Sequence, residues 1–107
     1  MKHPIIAAIA LAAALGASTA SAEITVGVSR GTTGPGASLG IPYKNAFSLM
    51  PKTLGGEPVK YIILDDESKP DVAAQNAERL VKRDAVDALI GTVHSGVQMG
   101  IHQVVRE

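Results

Sequence analysis

The sequence predicts an α/β domain in which a parallel sheet carries helices on both faces, in the order β-α-β-α-β-α. Three observations predict it. Short β-branched runs alternate with stretches of helical apolar spacing. Each run ends in a loop rich in Gly, Ser, Thr or Asp. The connections are too short to hold anything larger than a single crossover helix.

The first strand is Ile24-Thr25-Val26-Gly27-Val28, followed by a loop from Arg30 to Ser38. Ser38 is placed to cap a helix running from Leu39 to about Met50, with Leu39, Pro42, Ala46, Leu49 and Met50 on one face. Pro42 is expected in its first turn, where a missing N–H is tolerated. Pro51 and Gly55-Gly56 end the helix and turn the chain. The second strand is Val59 to Leu64, whose unbroken apolar run predicts burial on both faces. Ser68, Pro70 and Asp71 form a helix-start pattern, with Ser68 as the cap. The helix they open reaches about Asp84, with Ala73, Ala77, Leu80 and Val81 facing inward and Glu78 spaced to pair with Lys82. The third strand is Ala88-Leu89-Ile90. A last helix from Gly96 to Arg106 turns Val97, Ile101, Val104 and Val105 to one side.

Residues 1–22 read differently. Lys2 precedes an apolar run from Ile5 to Leu15, and small residues lead to Ala20-Ser21-Ala22. That order is a secretory signal peptide with cleavage after Ala22, leaving residues 23–107 as one exported domain. The apolar run reaches only ~16 Å as a helix, short of a ~30 Å hydrocarbon core.

Composition narrows the function classes. Formal charge is zero, becoming −1 without Lys2, so there is no electrostatic case for nucleic acid or an anionic membrane. Tyr43, Phe47 and Tyr61 are the only aromatic residues, poor material for base stacking. Cysteine is absent, which excludes disulfides and thiolate metal sites. His94 and His102 are the only histidines after residue 22 and do not form an i, i+4 pair, so no metal or other cofactor is expected.

In an open parallel sheet, ligands bind beyond the C-terminal ends of the strands where strand order reverses. Three loops qualify: Ser29 to Ser38, Asp65 to Ser68, and Thr92 to Gly96. Ser95 and Gly96 open a helix whose first N–H groups and dipole favour an anion. Ser95 either caps that helix or presents its hydroxyl to a ligand, and one serine can do both. His94 beside it lines the cleft or packs the loop. Thr32, Thr33, Gly34 and Ser38 combine hydroxyls with close backbone approach, and serve equally as a turn feeding the helix. Asp65, Asp66 and Ser68 are read as turn and cap chemistry, not as a catalytic carboxylate pair.

At these loops ITVGVSRGTTGPGASLG, YIILDDESKP and VDALIGTVHSG resemble the opening of periplasmic binding proteins of the leucine/isoleucine/valine type, the substrate-binding components of ABC importers. The match runs from Ile24 to Val105 in the expected order. The resemblance implies a type I periplasmic-binding-protein fold, of which residues 23–107 form a truncated N-terminal lobe. It places Ser95 at the position that holds the α-carboxylate of an amino acid, and the loop of Thr32, Thr33, Gly34 and Ser38 as one wall of the cleft. With the helix-opening Gly96 and its neighbour His94 added from the residues themselves, the expected ligand-binding set is Ser95, Gly96, His94, Thr33, Thr32 and Ser38. The implied partners are a small polar molecule and, for an intact protein, an inner-membrane ABC permease; no catalytic chemistry is implied. A partial lobe is not expected to bind ligand tightly unaided.

Two other functions fit less well. A ligand-sensing domain of the same fold would normally lead into a transmembrane segment. An exported dinucleotide-dependent oxidoreductase would use the Gly34-Pro35-Gly36 loop, but the spacing is GxGxxxG, and Asp65 lies 29 residues after Gly36, against the usual ~20.

Overall fold

A computed structural model describes residues 22–107. Its four strands lie in the order β2-β3-β1-β4: β1 (Ile24–Arg30), β2 (Thr53–Leu54), β3 (Glu57–Asp65) and β4 (Ala88–Ile90). The helices are α1 (Ala37–Ala46), α2 (Pro70–Glu78) and α3 (Ser95–Val105). The proposed signal peptide lies outside the described residues except for Ala22.

β1 pairs in parallel with β3 over seven residues, from Ile24 opposite Val59 to Arg30 opposite Asp65. On its other side it pairs in parallel with β4, Val26 through Val28 against Ala88 through Ile90. Asp87 fixes this second register: its backbone N–H donates to the Thr25 carbonyl, and its carboxylate accepts from the Thr25 N–H at 2.8 Å. The three predicted strands are therefore all present and parallel, with the first in the middle. β2 was not anticipated. It forms a short antiparallel ribbon with β3 through Gly55-Gly56, both at positive φ, so the sheet is mixed.

Strand alternation divides the sheet into two faces. Gly27 faces α2, with Leu80 and Val86 against it. Leu89, opposite Gly27 in the β1–β4 register, turns the same way and packs against the cluster of Ala73, Ala77, Val97 and Ile101. The core lies here, between sheet, α2 and α3. Gly100 lets the two helices meet closely, because a Cβ there would overlap the Pro70 carbonyl oxygen. Val26, Val28 and Arg30 point to the opposite face, where the Phe47 and Tyr61 rings stack at a tilt, centroids 5.7 Å apart.

Several expected details change. Val81 is exposed although Leu80 is fully buried. The chain from Arg79 to Arg83 is a wider π-turn, which rotates residues after Leu80 out of α-helical phase. Val105 is exposed as α3 ends, while Val104 reaches the core. β3 is half-buried along most of its length instead of enclosed on both sides.

α1 departs furthest from its apolar pattern. Only Gly40 is buried, packed on the Gly31 carbonyl, whereas Leu39, Leu49 and Met50 are exposed. The helix starts at Ala37, so Pro42 falls in its second turn and denies the Ser38 carbonyl its i+4 donor. Glu78 and Lys82 do approach, at 4.0 Å.

Candidate functional site

Because β1, β3 and β4 run parallel, the loops after them rise from one end of the sheet. Thr33 and Ser95 therefore share that end, on neighbouring strands. Strand order also reverses here, since the chain moves from β1 outward to β3 and then crosses back to β4 on the far side.

The β1–α1 loop is tied down by the turn after β3. Asp65 accepts from the backbone N–H of Thr32 at 2.9 Å, of Thr33 at 3.3 Å and of Glu67 at 2.9 Å, and from the Thr33 hydroxyl at 2.7 Å. Partial burial would raise the Asp65 carboxyl, but the bonds from the Thr33 hydroxyl and the Glu67, Thr32 and Thr33 amides outweigh it. They hold the group below the ordinary aspartate value. Asp66 is fully buried, accepting from the Ser29 hydroxyl at 3.2 Å and the Ser68 N–H at 2.9 Å. Asn76 on α2 supports this layer by donating to the Asp65 carbonyl at 2.9 Å. These bonds keep Glu67 and Ser68 in the left-handed region, at φ 53° and 59°. Gly34, at φ 76°, lies against the Glu67 carbonyl, where a Cβ has no room.

Ser68 does not cap α2. The cap position is Lys69, without a side-chain bond, and Ser68 instead donates to the Thr33 carbonyl and accepts from the Gly36 N–H, both at 2.9 Å. Ser38 likewise does not cap α1: Gly36 holds the cap position, and Ser38 is the second helical residue, exposed to solvent. The turn has crossed over to brace its neighbouring loop, and helix starts have moved by one or two residues to allow it.

At the β4 rim, His94 is the cap residue of α3, extended at φ −91° and ψ 116°, with no side-chain capping bond. Ser95 is the first helical residue, so the capping alternative does not hold. Its neighbours are exposed: His94, Ser95 and Gly96 all face solvent, with the His94 ring against Gly96. The first-turn amides therefore point outward without a side-chain acceptor. Gln98, which the sequence reading did not single out, holds the loop by accepting from the Thr92 N–H at 3.0 Å. Glutamine one turn into a helix is a weak signal, because nothing in its spacing shows that it reaches back.

The rim thus brings together open helix amides from one loop and a braced, hydroxyl-bearing loop from the other. It offers hydrogen bonds and a dipole, a combination suited to holding a small polar molecule. Among the described residues no three His, Asp or Glu side chains cluster as metal ligands.

The family model for periplasmic binding proteins matches residues 23–107, and the chain belongs to that family. It is 32% identical over its whole length to the Leu/Ile/Val-binding protein homolog 3 of Brucella melitensis, spanning 31% of that protein. It is also similar to an extracellular ligand-binding receptor from Rhodopseudomonas palustris HaA2, with 43% identity and a TM-score of 0.76, covering 78% of this chain and 23% of the receptor. An ABC transporter substrate-binding protein from Sphaerobacter thermophilus shares 25% identity and a TM-score of 0.70, covering 79% and 24%. The chain therefore spans 23–31% of these relatives' length. They are binding proteins, and the family is one of periplasmic solute receptors.

Proposed function

We propose that this chain acts as the exported solute-binding component of an ABC importer, taking an amino acid or similar small polar molecule and performing no chemistry. Residues 1–22 direct export to the periplasm, and residues 23–107 supply part of the binding lobe. An inner-membrane permease is the partner of the complete receptor.

The observation that carries this reading is the pair of rims at one sheet end: the α3 first turn, whose amides no side chain caps, and the threonine loop braced on Asp65. An α-carboxylate suits the first turn of α3, where N–H groups and the helix dipole converge beside the Ser95 hydroxyl. The Thr33 hydroxyl spends its proton on Asp65, so its remaining lone pairs face outward as acceptors. With an ionised Asp65 behind it, that loop favours an ammonium group. The two rims thus have the opposite polarities of an amino-acid zwitterion. His94, Gly96, Thr32 and Ser38 complete the proposed contact set.

Isotope-edited NMR of the protein titrated with L-leucine, L-valine and L-glutamine tests this. The expected result is saturable movement of the Ser95, Gly96, Val97 and Thr33 amide signals at millimolar ligand. Leucinamide, which lacks the carboxylate, should leave the α3 signals in place. Uniformly small shifts scattered over the α2–α3 face would overturn the assignment.

A further inference from the structure

The sheet face beneath α1 carries a charged group that the rim does not use. Arg30 ends β1 and turns onto this face with 8% of its surface exposed, and its Nε makes no hydrogen bond. Arg30 takes no part in the ion pairs made by Lys69, Arg79 and Lys82. Its guanidinium carbon sits 4.8 Å from the centroid of the Tyr43 ring. Beside it, Tyr43, Ala46, Phe47, Met50 and Ile90 wall an open-sided cavity of about 190 Å³.

A guanidinium withdrawn from water needs an anion or a full set of hydrogen bonds, and an aromatic face replaces only part of the lost hydration. Apart from the Tyr43 hydroxyl, which does not bond to Nε, the wall beside it is hydrocarbon. The matching ligand is therefore a molecule with one charged end and an apolar body. Phosphate and sulfate have no apolar part to fill the cavity, and a neutral hydrocarbon leaves the cation unpaired.

We propose that this cavity is a binding site for a small apolar monocarboxylate. A branched or cyclic acid of about six to eight heavy atoms fits, since an apolar cavity of roughly 150 Å³ is known to hold benzene. The carboxylate sits on the Nε side of Arg30, where the planar fork favours paired hydrogen bonds. The hydrocarbon lies against Phe47, Met50 and Ile90. The site is separate from the α3 first turn and does not depend on it.

The probes are 4-methylpentanoate and its uncharged analogue 4-methylpentanamide, titrated into the labelled full chain. The expected result is saturable binding with intermolecular NOEs from the ligand methyls to Phe47, Met50 and Ile90, and an acid at least about tenfold tighter than the amide. Arg30→Met should abolish that preference, while Arg30→Lys keeps part of it. The NOEs come from the unmodified protein, so they decide the matter even where a variant fails to fold. Equal affinity for acid and amide overturns the proposal. So do NOEs confined to Ser95–Val97, a result that would leave the rim reading standing. Shifts at Phe47, Met50 and Ile90 that depend on protein concentration without ligand also overturn it, because a second copy would then occupy the face.

Discussion

Asp65 shows how one side chain can organise the loop of the proposed binding rim. Its four hydrogen bonds reach two residues of the β1–α1 loop and one of its own turn. Removing the charge while keeping the shape, as Asp65→Asn, should cost roughly 1–3 kcal/mol at neutral pH. The folded carboxyl titrates below its unfolded value, so the unfolded chain takes up the proton first as pH falls. The stabilisation is therefore complete above about pH 5 and fades as pH drops through the folded value. Urea unfolding at pH 7 and again near pH 3 should show the wild-type advantage over Asp65→Asn shrinking on acidification. A constant gap would mean that the carboxylate charge contributes nothing. The structural role of this turn was legible in Asp-Asp-x-Ser-x-Pro; its partner was not. Which loop an aspartate braces depends on strand order, and a serine that looks like a cap for its own helix can bond elsewhere when another loop lies closer.

At the scale of elements, apolar periodicity was a good guide on one face of the sheet and a poor one on the other. Ala73, Ala77, Leu80, Val97 and Ile101 are buried as their spacing indicates. Leu80→Ala removes a fully buried side chain packed over Gly27 and should cost about 2–5 kcal/mol. Leu49 belongs to an equally regular pattern yet is 87% exposed, so Leu49→Ser should change stability by no more than about 0.5 kcal/mol. Thermal unfolding of the two variants checks the contrast; a large loss for Leu49→Ser would show that α1 packs more closely than described. The reason for the asymmetry is physical. Spacing tells which residues share a helix face, but burial needs a second surface, and α1 buries only Gly40, against the Gly31 carbonyl of the loop after β1. The π-turn that expels Val81 was equally invisible, because one extra residue in a turn leaves no mark on composition.

For the whole molecule the governing feature is that the proposed binding rim lies on one sheet. Ligand pockets commonly enclose most of their ligand's surface, and a rim exposed on one side encloses much less. Calorimetry with leucine, isoleucine, valine and glutamine should therefore detect no micromolar binding by this chain alone. Heat consistent with micromolar affinity would show that the rim and its neighbours suffice. Among the described residues, strand β4, three residues long, stands at the sheet edge with one side unpaired. Its shortness limits the template it offers to other chains.

The sequence by itself determined the alternation of strands and helices, the parallel three-strand core, the loops at the C-terminal ends of the strands and the family. The alternation, the parallel core and the rim loops follow from local properties, namely propensity, periodicity and turn chemistry in chain order. The family follows from the resemblance of three motifs in their order. Only the tertiary structure decided that β1 is central, that Ser68 and Asp65 clamp the neighbouring loop, and that Arg30 is buried without a hydrogen bond at Nε. Each of these depends on which segments meet across dozens of residues. Pairing register and close approach settle such meetings, and no single segment of the chain encodes them.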